Sequence, residues 1–277
     1  MQLDDYHNLT TDEFRHYQDA HHEKEYVLVD VRFPEEYEDE HIAGSILIPL
    51  AEISQRITEL PATCDIIFYC NSGRRSRVAA LFATSVPFCQ KKVYNVLGGI
   101  LAYFERTLPD YPTLAALDLN GDVQDLLYSA MNIERGTSLF YSAVLEKTGD
   151  SPLRATLEEL VQAEEAHAHL LYNFWKKDLP VAPPFAELYK ALRGDIVEGG
   201  KRLDEQLTLL DTLAESSPQA LLEMILDIEY AAYDLYCAVA EKLRATSMAE
   251  SFLSLAQAEK HHMRLAAEAF NTFKAQE

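Results

Sequence analysis

The sequence predicts two fold classes in one chain: a parallel α/β domain at 1–110, then an all-α domain at 121–277 with four long helices and one long crossover. Three observations lead there. Short β-branched apolar runs alternate with helical stretches over the first 110 residues, the pattern of a parallel sheet with flanking helices on both faces. Beyond residue 121, apolar residues recur at helical spacing over long stretches. The helical half also repeats itself at a fixed offset. A length of 277 residues suffices for two cores, and 48% apolar residues excludes a disordered chain.

In the first domain, 26–31, 66–70 and 92–97 read as strands, and 51–60, 76–86 and 100–106 as helices. Pro109, Pro112, Asn120 and Gly121 punctuate a linker at 111–120. Residues 123–147 form the first long helix, ended by Gly149-Asp150-Ser151-Pro152, and 153–177 form the second, stopped near Pro180. A long connection containing Pro183, Pro184, Gly194, Gly199 and Gly200 follows, with helical pieces inside it. Pro218 opens the third helix, since proline suits a first turn, and 248–274 is the fourth. Two helical hairpins joined by one long crossover is the connectivity of a ferritin-like four-helix bundle.

The formal charge of −21 argues against nucleic acid and anionic membranes as partners, because both need basic surface. No apolar run approaches the roughly 20 residues that span a bilayer. Met1-Gln2-Leu3-Asp4-Asp5 lacks a basic-then-apolar signal pattern, so a cytoplasmic protein is expected. The four cysteines, Cys64, Cys70, Cys89 and Cys237, form no CxxC pair, which excludes a four-cysteine zinc or rubredoxin-type site.

Cys70 begins the loop Cys70-Asn71-Ser72-Gly73-Arg74-Arg75-Ser76, which runs from an expected strand into an expected helix. Backbone N–H groups and a helix N-terminus at such a place favour anions and lower a thiol pKa. Arg74 and Arg75 add positive charge for an anionic substrate, and an accessible thiolate is a nucleophile at neutral pH. Cysteine phosphatases need an arginine six positions after the cysteine; here that position is Ser76. The loop is one residue short for cradling phosphate and resembles the rhodanese loop, sized for a sulfane sulfur. Asp30-Val31-Arg32, Glu35-Glu36-Tyr37, His41-Ile42-Ala43-Gly44-Ser45 and Ile48-Pro49 resemble the first rhodanese motif, and Leu97-Gly98-Gly99 with Tyr103 the last. The resemblance covers about 5–110. It implies a sulfurtransferase in which Cys70 carries a persulfide, taken from a small anionic donor such as thiosulfate or a polysulfide and passed to cyanide, a thiol or a protein cysteine. It also implies that Asp30 and Arg32 are scaffold.

In the helical half, Ile133-Glu134 matches Ile228-Glu229, and Ala163-Glu164-x-x-His167 matches Ala258-Glu259-x-x-His262, all offset by 95 residues. Residues three apart on a helix share a face, so Glu164 pairs with His167 and Glu259 with His262. Four carboxylates and two imidazoles at one level of a bundle suit iron or manganese, and four glutamates balance two divalent cations. This is the di-iron pattern of ferritin-like proteins. Residues 121–275 resemble rubrerythrins. That resemblance implies two iron ions per chain, with manganese or zinc as substitutes. It also implies Glu134 and Glu229 as terminal ligands, Glu164 and Glu259 as bridges, and His167 and His262 completing the two sites. Tyr141 and Tyr236, seven residues after Glu134 and Glu229, look like tyrosines that hydrogen-bond ligating carboxylates. Rubrerythrins carry a further glutamate where this chain has Ala232, and they carry a rubredoxin domain that is missing here. The implied consequences are slow peroxide turnover and a separate electron donor. His169, His261 and Glu165 fall off the ligand face by spacing.

Together these readings give a bifunctional sulfurtransferase with a di-iron redox centre, with a homodimer through the bundle as one mode of assembly. A second reading, of another class, is a sulfur or peroxide sensor whose bundle is an iron-binding or dimerisation module.

Overall fold

The computed structural model describes residues 6–87, 91–103, 107–109, 116–118, 121–148, 153–213 and 218–274. Cys89, the break expected at 149–152 and most of the expected linker at 111–120 lie outside the described residues. Its contacts divide the chain into two compact units, 1–111 with 236–257 and 112–235 with 258–277.

The first unit holds β1 (Tyr6–Leu9), α1 (Thr11–Ala20), β2 (Tyr26–Asp30), α2 (Pro34–Asp39), β3 (His41–Ile42), β4 (Ser45–Leu47), α3 (Ile53–Arg56), β5 (Asp65–Tyr69), α4 (Arg74–Ser85), β6 (Val93–Val96) and β7 (Thr107–Leu108). The main sheet has the order β1-β6-β5-β2-β4 and every pairing in it is parallel. Strand period two sorts the side chains onto two faces. Val29, Val31, Ile66, Phe68 and Val93 share a core with Ala79, Ala80 and Ala83 of α4 and Ile53 and Ile57. Leu28, Ile67, Tyr69, Tyr94 and Val96 share the other core with Phe14 of α1. Apolar side chains on both faces are what a parallel sheet needs.

Three expectations for this domain change in detail. Residues 51–60 are not one helix: α3 is flanked by 3-10 turns at Leu50–Glu52 and Ile57–Glu59. The helix expected at 100–106 is a 3-10 turn, Gly99–Ala102, in the described part. The edge strand β1 and helix α1 were absent from the expectation, although α1 opens on a capping box in which Thr10 and Glu13 satisfy each other's backbone N–H groups.

The helical region holds α5 (Val123–Thr148), α6 (Leu153–Trp175), α7 (Phe185–Ala191), α8 (Leu203–Leu213), α9 (Pro218–Lys242) and α10 (Ala249–Lys274). The connection between α6 and α9 is long and contains α7 and α8. In the second unit, Phe140, Val144, Leu157, Leu160, Ile225 and Ile228 belong to one core with Val197 of the connection. The segment 236–257, the end of α9 and the start of α10, groups with the first unit.

Candidate functional site

Two groups of chemically active side chains stand in the described residues, one in each unit. In the second unit, Glu134 of α5, Glu164 and His167 of α6, Glu229 of α9 and Glu259 and His262 of α10 are all buried. One ligand atom each from Glu164, Glu229, Glu259 and His262 lie within 4.8 Å of one another, and so do those of Glu134, His167 and Glu259. His167 Nδ1 is 3.0 Å from Glu259, 3.3 Å from Glu164 and 3.4 Å from Glu134. His262 Nδ1 is 3.0 Å from Glu259, 3.2 Å from Glu229 and 3.6 Å from Glu164. The two imidazoles stack with centroids 5.1 Å apart. The Tyr141 hydroxyl donates to Glu229. Tyr236 is fully buried, its ring 6.0 Å from that of Phe252, and it stands in the first unit. Glu165, His169 and His261 are exposed.

Burial dominates the electrostatics of this group. It pushes the Glu164 carboxyl well above its ordinary range, with repulsion from Glu259 adding to it. Burial raises Glu229 to about 7 against the pull of His262. It opposes charge on His262, but Glu259 and Glu229 outweigh it and lift that imidazole to about 11. Glu259, between both imidazoles, ends below its ordinary value despite burial.

A seventh side chain, missed from the sequence, stands with these six. Glu198, in the connection between α6 and α9, is fully buried, and one of its oxygens lies within 4.8 Å of ligand atoms of Glu134 and Glu164. Neither Glu198 oxygen has a hydrogen-bond partner, and neither has either oxygen of Glu164. Buried carboxylate oxygens left without a donor are costly unless a cation or a proton joins them.

In the first unit, Cys70 follows directly on β5, and Gly73, with φ +84°, caps the helix α4. The Gly73 N–H donates to Cys70 Sγ at 3.2 Å, and Ser76 Oγ lies 3.4 Å from the same sulfur. Burial pushes the Cys70 thiol up, but the Ser76 hydroxyl and the N–H groups of Ser76, Ser72 and Gly73 outweigh it, and the net shift is down. Ser76 Oγ also lies 2.7 Å from Asn95 Oδ1, whose Nδ2 donates to Asn8 Oδ1 at 2.9 Å. The loop is pinned from above: Ile100 N–H donates to Cys70 O at 2.9 Å and Leu101 N–H to Asn71 O at 3.1 Å. Asn71 is half-buried and Ser72 exposed.

The family of rhodanese-like domains matches residues 13–106. A sulfurtransferase of Allochromatium vinosum is 34% identical over 83 residues, covering 30% of this chain and 76% of that protein. The chain belongs to the rhodanese-like family. Thiosulfate sulfurtransferase PspE of Escherichia coli is 50% identical over 50 residues, 17% of this chain and 48% of that one. The Bacillus subtilis protein YrkF, named for sulfur carriage, is 42% identical over 80 residues, 29% of this chain and 42% of that one. The chain thus spans less than half the length of these last two relatives. Among solved structures, a rhodanese-like domain protein of Staphylococcus aureus is 25% identical, covering 38% of this chain and 98% of that one at a TM-score of 0.34.

Within the rhodanese-like domain, three side chains stand differently from the sequence reading. Cys70 is 1% exposed, so the thiol forms the floor of its loop and a donor must reach it through the loop. Arg75 is held by Glu36 through two bonds of 2.6 and 2.7 Å, with its guanidinium 5.4 Å from the Phe33 ring centroid. Its charge reaches the sulfur as a field rather than as a free hand, while Arg74 is exposed. Asn95 was missed altogether, since a buried asparagine in an apolar strand carries no local signal of its partner 19 residues away. Asp30 and Arg32 form a buried pair at 2.8 Å, and Arg32 also donates to Glu40 O at 2.5 Å, a bracing role.

Proposed function

We propose that the chain is a sulfurtransferase whose carrier is Cys70, joined to a ferritin-like helical domain that binds two iron ions in the manner of rubrerythrins. The observation that carries the first half is the set of donors aimed at Cys70 Sγ: the Gly73 N–H and the Ser76 hydroxyl, which hold the thiol below its ordinary pKa despite burial. The named activities of the family's sulfurtransferases support it.

In the first step the Cys70 thiolate attacks the outer sulfur of thiosulfate or a polysulfide. A bond forms between Cys70 Sγ and that sulfur, the donor's sulfur–sulfur bond breaks, and sulfite or a shortened polysulfide leaves with the bonding pair. The outer persulfide sulfur carries negative charge, which the loop N–H groups and the Arg75 field stabilise. An acceptor nucleophile (cyanide, a thiol or a protein cysteine) then takes that sulfur and returns the thiolate.

The donor set of the second unit fits two hard divalent cations. It supplies carboxylate oxygens and imidazoles, four of whose carboxylate oxygens, on Glu164 and Glu198, lack any hydrogen-bond partner. Glu164 and Glu259 would bridge, since each converges both with Glu134 and with the Glu229 and His262 pair, whereas Glu134 converges with neither Glu229 nor His262. Iron held there supplies reversible electron transfer, with electrons from a separate donor. Tyr141 orients Glu229.

The test is Cys70→Ser in the full chain. Mass spectrometry should find a persulfide on wild-type Cys70, and the variant should lose sulfur transfer while keeping about two metal ions. Residual turnover would move the carrier to another cysteine, Cys64 first. One metal ion per chain in the wild type would end the two-metal reading.

A further inference from the structure

We propose that Glu198 is a seventh ligand of the two-metal centre, delivered by the crossover and not by a long helix. This rests on the two-metal reading above.

The crossover is seated on α5 in a way that aims one side chain inward. Gly194, with φ +61°, donates its N–H to Asn132 Oδ1 at 2.9 Å, and Asn132 Nδ2 donates to Asp195 Oδ1 at 2.9 Å. A side chain on Gly136 would put its Cβ 1.9 Å from Ile196 O, so the crossover backbone lies directly on the bare face of α5 at this turn. The Glu198 N–H donates to Thr137 Oγ1 at 3.0 Å, one helical turn after Glu134. Gly199, with φ +79°, turns the chain away, and its own Cβ would come within 2.8 Å of Ala231 on α9. Val197 N–H to Lys201 O and Gly200 N–H to Val197 O close the loop behind it at 2.9 and 3.0 Å.

The N–H groups of Gly194, Val197, Glu198 and Gly200 each have a partner, yet the carboxylate that this loop carries into the interior has none on either oxygen. It lies within 4.8 Å of ligand atoms of Glu134 and Glu164. A chain that merely needed to cross would place an apolar residue there, as it does one position earlier with the fully buried Val197. A carboxylate so placed serves a cation. It belongs to the ion on the Glu134 and His167 side, because it groups with Glu134 and not with Glu229 or His262.

The experiment uses the full chain, metal-free, with Glu198→Gln, Glu198→Ala and, as a control, Glu165→Gln on the exposed side of α6. Each is titrated anaerobically with Fe(II), and separately with Mn(II), against a chelator. Thermal unfolding is recorded with and without metal. The wild type and the control should bind two ions. Both Glu198 variants should hold one of the two on the order of tenfold or more weakly. Metal should raise the unfolding temperature of those variants less than that of the wild type, since one ion is held more weakly. Equal affinities, or an equal metal-induced rise in unfolding temperature, overturn the ligand role. A wild type that binds no metal overturns the two-metal reading as well, a result distinct from the first.

Discussion

The hydroxyl of Ser76 has one proton and two acceptors within reach, Cys70 Sγ at 3.4 Å and Asn95 Oδ1 at 2.7 Å. A thiolate at Cys70 draws that proton, and a neutral thiol leaves it to Asn95, so the side chain responds to the charge on sulfur. The Cys70 pKa lies below its ordinary value, so thiolate content and first-step rate rise with pH through that lowered value and level off above it. Ser76→Ala removes one lowering donor. The midpoint of the pH–rate profile should move up, and the rate at neutral pH should fall severalfold. An unmoved midpoint, checked by ultraviolet thiolate absorbance, would remove Ser76 from the tuning. At this scale the loop was legible because its parts are contiguous. Glu36 and Asn95, 39 and 19 positions from their partners, were not, because only the tertiary fold brings them there.

Among the elements, the turn at Gly99 carries the clearest constraint. Its φ is +58°, and a Cβ there would stand 2.0 Å from Cys70 O. Gly99→Ala should therefore cost on the order of 1–3 kcal/mol and unseat the loop that Ile100 and Leu101 pin. Sulfur transfer should fall with the melting temperature; a variant of native stability and rate would show that the turn has slack. The long helices were legible because apolar spacing persists over many turns and because the 95-residue repeat marks equivalent positions. Short elements such as β1 gave no such signal. Glu198 escaped because it lies outside both repeats, in a connection whose shape depends on Gly136 of a distant helix. No periodicity marks a residue held by a loop.

For the whole molecule, the buried acid group ties stability to pH and, on the proposed two-metal reading, to metal. In the metal-free protein Glu229 titrates near 7 and His262 near 11. A carboxyl raised on folding destabilises increasingly as pH climbs from about 4.3, its unfolded value, to its folded one. An imidazole raised on folding contributes stability that is complete below about 6.5 and lost as pH rises through its folded value. Both have the same sign, and Glu259, lowered on folding, acts in the opposite sense only below about 4.5, so the metal-free protein should weaken from about pH 5 to alkaline pH. In the proposed two-metal centre, metal would replace those protons, so the melting-temperature gap between loaded and metal-free protein should widen as pH rises. A gap independent of pH would count against the group as the metal site. The sheet carries a different consequence. β1 pairs with β6, so the first residues described close against a strand completed some 87 positions later, and Asn8 reaches Asn95 only when they do. A pairing of such sequence separation forms late in folding. The relay from Asn8 through Asn95 and Ser76 to Cys70 is therefore among the last parts of the domain to assemble. The donors at Ser72, Gly73 and Ser76 form with the loop itself, so docking of the edge strand fixes how the Ser76 hydroxyl is held and does not create the lowered thiol pKa.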